Sequence, residues 1–270
     1  MRSNRSGMEL ALATIGLGLA AFAAWGPVVA QPAQYHDLAD QRTLWGVPFA
    51  MDVLSSLSFA VAGAVGIGVV RRLPRRSVTN MQRAMAMLFF AGLLLTAAGS
   101  AWYHAHPDDA TLAVDRSGMA VAFAGVLGFA VAAHVSERAA AVMGPAVLLL
   151  GAWAANAWIT TGNVLPWVTL QTGGMALLVW LALQRRCVGA PDVRWSFVIL
   201  AYVAAKLLEL EDHQLYALTG GTVAGHTLKH IVAALAAWPV VAALAARRRE
   251  RQNWPPAAAR RVGSYSLGDA

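Results

Sequence analysis

Gly118-Met119-Ala120-Val121-Ala122-Phe123-Ala124-Gly125-Val126-Leu127-Gly128-Phe129-Ala130-Val131-Ala132-Ala133 is an unbroken apolar run, with Asp115-Arg116-Ser117 in front of it and His134 behind. A helix that crosses a bilayer needs about 20 mostly apolar residues, and residues 115–134 supply them. Working outward, stretches of the same kind occupy 83–104 and 140–159, then 49–70, 164–184, 195–215 and 224–246, and finally 8–30. They fill nearly the whole chain. The composition agrees, with 58% hydrophobic and only 13% charged residues among 270, too little charge to clothe a soluble domain of this size. The pattern predicts an all-α integral membrane protein with a seven-helix transmembrane core over 31–246 and one additional N-terminal helix over 1–30. That first stretch has two readings. Arg2 and Arg5 precede it and Val28-Val29-Ala30 closes it like a signal-peptidase site, yet its apolar run exceeds a signal h-region. A retained anchor helix is the reading taken, with a cleaved signal sequence as the alternative. Residues 247–270, with Pro255, Pro256 and Gly263, read as a basic disordered tail that lies against anionic lipid.

The net charge of +7 does not point to nucleic acid, because the arginines sit in short clusters between apolar stretches. Arg71, Arg72, Arg75 and Arg76 follow the second stretch. Arg185, Arg186 and Arg194 follow the sixth, and Arg247, Arg248, Arg249 and Arg251 follow the last. Alternating topology puts all of them on one side with both termini, and the positive-inside rule makes that side cytoplasmic. The opposite loops carry Arg42 and Arg116. A single cysteine, Cys187, excludes an internal disulfide and any multi-thiolate metal site. Any chemical site must therefore be built from His, Asp, Glu and Ser.

Ionisable groups inside spans are costly, and each is a functional candidate. Here they gather at one depth near the outer leaflet. Ser100 and His104 lie one turn apart at the outer end of 83–104. Asp115 opens the next span after a short outer loop, His106 to Leu112. His226 and His230 lie one turn apart at the outer start of 224–246, and residues at i and i+4 share a helix face. Three neutral imidazoles are a common ligand set for catalytic zinc, with a fourth position left open. A metal so held acidifies water and polarises a carbonyl. Asp115 is then the general base, and Ser100 stabilises the water or the developing oxyanion. Two other readings stay open on the residues alone. One is histidines that serve packing. The other is bis-histidine haem ligation, as in a membrane electron carrier.

Gly99-Ser100-Ala101-Trp102-Tyr103-His104, Leu112-Ala113-Val114-Asp115-Arg116 and Gly225-His226-Thr227-Leu228-Lys229-His230 together resemble the alkaline ceramidase family. That family belongs to a superfamily of seven-helix membrane hydrolases with the adiponectin-type receptors and the Per1 lipid-remodelling proteins. The resemblance covers about Gln34 to Arg247. It implies zinc held by His104, His226 and His230, Ser100 and Asp115 near the metal, and hydrolysis of an amide bond in a lipid such as ceramide. Two segments depart from the family. The acidic segment that resembles a calcium site in eukaryotic members reads Tyr35-His36-Asp37-Leu38-Ala39-Asp40-Gln41-Arg42 here, so calcium is not carried over. The Asn-rich segment of the first core helix reads Asp52-Val53-Leu54-Ser55-Ser56-Leu57-Ser58-Phe59. The Ala- and Arg-rich composition suggests a GC-rich bacterial genome, hence an inner-membrane location and a substrate that extends to other acyl-amide or acyl-ester lipids. The receptor branch supplies a rival expectation, a zinc-containing sensor without turnover. A transporter is the weakest, for want of paired broken helices or an inverted repeat.

Other polar residues have more ordinary expectations. Lys206 and Glu209 are spaced for an ion pair, and Glu209 is a partner for a ligand imidazole. Lys229 projects on a different face from its flanking histidines and, like Arg116, pairs with a carboxylate or a headgroup. Asp212 and His213 are solvated at the boundary. Loop residues His36, Asp37 and Asp40 form a lid, and His106 is solvated. His134 lies at the cytoplasmic end, out of reach. Trp102, Trp158, Trp167, Trp195 and Trp254 form an interfacial belt.

Overall fold

The computed structural model describes residues 2–252, with side chains from 5 to 250. The chain is an all-α membrane protein: among the described residues there are eleven helices and no strand. They are α1 (Arg2–Trp25), α2 (Ala50–Ser55), α3 (Leu57–Arg71), α4 (Asn80–Ala105), α5 (Asp109–His134), α6 (Glu137–Thr161), α7 (Leu165–Ala182), α8 (Trp195–Leu210), α9 (Asp212–Leu218), α10 (Gly225–Leu235) and α11 (Trp238–Gln252). Seven stretches are long and apolar enough to cross a bilayer: α1 from Arg5, α2 with α3, α4, α5, α6, α7, and α10 with α11 to Glu250.

The expected span 195–215 falls short of that length. Its helix α8 stops at Leu210 after 16 residues, a rise of about 24 Å against a hydrocarbon core of about 30 Å. The chain turns at Glu211 and resumes as α9. Two other spans are interrupted for visible reasons. Between α2 and α3 the hydroxyls of Ser55 and Ser56 both donate back to the Asp52 carbonyl, at 3.0 and 2.9 Å, a bond that bends helices. Between α10 and α11, Pro239 removes a backbone donor and crowds the carbonyl one turn earlier. The short outer loop is also tighter than expected. Asp108 caps α5 through the Thr111 amide, so Asp115 lies in the second turn of a helix rather than at its opening.

Helix α5 is the centre of the bundle, with 78% of its spanning stretch buried, whereas α1 at the periphery has 11%. Helices α4 and α5 approach closely enough to exclude a Cβ. One added to Gly92 would lie 2.3 Å from the Ala122 amide, and one on Gly125 would lie 2.1 Å from that of Phe89. Small residues at such crossings are how membrane helices gain contact where lipid removes the hydrophobic drive. This crossing sets the spacing between the end of α4 and the start of α5, where the candidate site residues lie.

Helix α1 packs on α7, and Ser136 Oγ donates to the Glu9 carboxylate at 2.5 Å. The segment after α1 is tied in as well, with the Val164 amide donating to the Val29 carbonyl at 2.8 Å. Helix α11 runs to Gln252, so the first residues of the expected tail are helical. Arg247 pairs there with Glu250 one turn on and donates to the Gly189 carbonyl. Residues 253–270, Trp254 among them, lie outside the described residues.

Candidate metal centre

His104 comes from the last turn of α4, and His226 and His230 from successive turns of α10. All three are buried, at 1%, 8% and 2% exposure. One nitrogen from each lies within 4.8 Å of the others, and the Nε2 atoms of His104 and His230 are 3.2 Å apart. Tetrahedral ligands on zinc at 2.0–2.1 Å stand roughly 3.3 Å from one another, so this pair already has the separation of two ligands. The gap is too narrow for a macrocycle to pass between these two rings, which counts against haem there.

Hydrogen bonds orient the rings. Ser55 Oγ spends its proton on the Asp52 carbonyl and lies 2.8 Å from His230 Nδ1. The imidazole must therefore donate from Nδ1, which leaves the Nε2 lone pair bare towards the centre, as a metal ligand requires. Ser58 Oγ donates to the His230 carbonyl at 3.0 Å. Asp212 Oδ1 accepts from the His226 amide at 2.7 Å and Oδ2 from the Ala39 amide at 3.0 Å. Asp212 is thus buried, 7% exposed, and not solvated. It satisfies an orphan donor at the start of α10 and so fixes the helix that carries two histidines. The His104 Nδ1 has no hydrogen-bond partner.

Ser100 stands 3.4 Å from His230 Nε2 and 3.1 Å from Ser56 Oγ. Asp115 lines the same cavity but makes no hydrogen bond to the histidines or to Ser100. Its Oδ1 is buried without a partner. Four of the five sequence candidates are therefore in direct contact, and the fifth faces the space beside them. This cavity, about 160 Å³, is also lined by Lys206, Glu209, Lys229 and Arg116. A larger one of about 550 Å³, mainly among α1, α6 and α7, is mostly apolar, with Glu9, Arg138 and Thr169 as the polar side chains in its lining.

Lys229 corrects the expectation of a separate face. Its ammonium donates to His226 Nε2 at 2.9 Å and to Glu209 at 2.9 Å. Glu209 also pairs with Lys206, and it reaches the imidazole through Lys229 rather than directly. The ammonium thus already rests on one imidazole lone pair, and a metal held through that nitrogen would displace it. No family model matches the chain. No curated protein matches it either. The donor set itself fits a metal: three neutral imidazoles, no thiolate, and an open side towards Ser100 and Asp115.

The first loop does fold over the site. His36 bonds the Tyr103 hydroxyl at 3.1 Å and Asp109 at 2.8 Å. His213 bonds the Asp37 carbonyl at 3.0 Å, and Arg42 clasps Asp40 and the Thr222 carbonyl. Burial opposes ionisation of Asp40, but bonds from the Arg42 side chain and amide more than offset it and hold the carboxyl below its usual range. His106 is exposed. His134 is satisfied at the far end by the Gln184 carbonyl and Trp195 Nε1.

The tryptophans depart from an interfacial belt. Trp102 is exposed, whereas Trp158, Trp167 and Trp195 are buried. Ser55, Ser56 and the aromatic setting of Arg116 had no sequence signal, because each depends on partners far along the chain.

Proposed function

We propose that this chain is a zinc-dependent membrane hydrolase that cleaves the acyl-amide or acyl-ester bond of a lipid, similar to the alkaline ceramidases. The observation that carries the reading is the convergence of His104, His226 and His230 within 4.8 Å, beside a cavity that also holds Ser100 and Asp115. Zinc held by the three imidazoles supplies a Lewis acid and lowers the pKa of water.

The chain's own residues do the rest. The unpartnered Oδ1 of Asp115 accepts a proton from water in the cavity and returns it to the leaving group. The Ser100 hydroxyl, 3.4 Å from His230 Nε2, turns its proton to the oxygen on which charge develops. Ser55 and Asp212 position His230 and His226. The apolar wall of the cavity, with Phe89, Leu93 and Phe123, takes the start of an acyl chain that enters between helices. The short α8 still runs between the two ends of the bundle, from Trp195 on His134 to Asp212 on the His226 amide, so the chain traverses eight times. The arginine-rich ends of α3, α7 and α11 lie on the cytoplasmic side of a bacterial inner membrane, with both termini inside and the site outward.

Metal content by mass spectrometry on the purified chain, wild type beside His226→Ala, tests the centre. About one zinc per chain in wild type and none in the variant is expected, with turnover of lipid amides lost alongside. Full activity in His226→Ala overturns the reading. Stoichiometric zinc without turnover of any lipid amide or ester points to the sensor instead.

A further inference from the structure

Arg116 stands at the start of the third turn of α5 and is only 3% exposed. Its guanidinium is held among three aromatic rings, 5.1 Å from the centroid of Tyr35, 5.0 Å from Trp158 and 5.5 Å from Trp167. Nη2 donates to Gln31 Oε1 at 2.9 Å. The other two nitrogens, Nε and Nη1, are buried with no hydrogen-bond partner, and among the described residues no carboxylate lies within ion-pair distance. Burying such a charge without a counter-ion is costly, yet the chain builds an aromatic sleeve from three separate segments to hold it. The side chain lines the same cavity as Asp115 and His230. The charged groups on that wall are three cations, Arg116, Lys206 and Lys229, against two carboxylates, Asp115 and Glu209. The wall thus carries one excess positive charge; both lysines are paired with Glu209, whereas Arg116 has no ion-pair partner and keeps two unpartnered nitrogens.

We propose that Arg116 anchors a single negative charge on the substrate, a carboxylate next to the bond that is cut, and that the substrates are N-acyl amino acids rather than neutral ceramides. Gln31 takes one of the two Nη2 protons, so the other, with an unpartnered neighbour nitrogen, leaves a fork between covered faces that suits a planar carboxylate. Hydrolysis of such a lipid breaks the acyl C–N bond, with water supplying oxygen to the acyl carbon and a proton to the nitrogen, and releases a fatty acid and an amino acid. The substrate assignment rests on the hydrolase reading above, whereas the anion anchor stands without it.

The test compares N-palmitoylglycine with N-palmitoylethanolamine, which has a neutral hydroxymethyl in place of the carboxylate. Binding to the purified full chain in nanodiscs and release of palmitate are both measured, with zinc content beside them. Wild type is expected to bind the acylglycine about 10- to 100-fold more tightly, the worth of hydrogen bonds to a charged group. Arg116→Gln is expected to abolish that preference and keep its zinc, and Arg116→Lys to retain part of it. Should Arg116→Gln not fold, the wild-type comparison and Arg116→Lys still decide. Equal binding of the two lipids by wild type overturns the proposal, as does a preference that survives Arg116→Gln. A preference that depends on Arg116 without release of palmitate leaves the anchor standing and removes the hydrolase.

Discussion

At the scale of the residue, Ser55 is the most informative position. The chain places it 175 residues from His230 and yet within 2.8 Å of its ring. Because its own proton goes to the Asp52 carbonyl, it sets which imidazole nitrogen faces the centre. Ser55→Ala should therefore weaken zinc binding by about 10- to 100-fold, the usual cost of losing a partner that orients a ligand. Competition with a chromophoric chelator measures this. Ser58→Ala, which loses only a bond to the His230 backbone carbonyl, is the control and should change affinity far less. Equal affinities for Ser55→Ala and wild type would show that the ring orientation is set elsewhere.

At the scale of the element, the α4–α5 crossing and the start of α10 position the site. A Cβ on Gly99 would approach the Asp115 Cα to 3.0 Å, so the turn that bears Ser100 lies directly against the one that bears Asp115. Gly125→Ala, whose Cβ would stand 2.1 Å from the Phe89 amide, must push α4 and α5 apart. It should destabilise the chain by about 1–3 kcal/mol or more, seen as a lowered Tm in detergent, with metal affinity falling too because His104 rides on α4. Gly68→Ala in α3, where a Cβ meets nothing within 4 Å, should leave both unchanged. A Tm for Gly125→Ala equal to that of Gly68→Ala would mean that the crossing yields without cost.

At the scale of the whole molecule, the helices deliver the histidine cluster and the first loop to one end of the bundle and the arginine-rich connections to the other. The far end is closed by its own bonds, with the Cys187 amide donating to the Ala133 carbonyl at 2.8 Å and Arg247 reaching Gly189. Cys187, the single cysteine, reports on the side that this end faces. Burial pushes its thiol above the usual range, so labelling belongs at mildly alkaline pH. In intact cells a membrane-permeant maleimide should react and an impermeant one should not. Reaction with the impermeant reagent would put the arginines outside and the metal centre inward.

Much of the fold was legible in the residues because a bilayer makes it a local question. Apolar run length selects spanning helices, and backbone hydrogen bonds are satisfied within each segment. The i, i+4 spacing of Ser100 with His104 and of His226 with His230 placed each pair on one face, since helix geometry needs no partner to be read. The contact of Lys229 with His226, three residues apart on α10, was within reach of the same helical spacing. What ended α8 at Leu210, turned Asp212 inward and folded the first loop onto Tyr103 and Asp109 depends on contacts across the bundle. The same holds for the aromatic sleeve of Arg116, which joins a loop to α6 and α7, and for the Ser55–His230 bond. Periodicity along a chain reports which way a side chain faces. Only the tertiary structure decided what it meets there, because those partners are brought together by helix packing and not by sequence spacing.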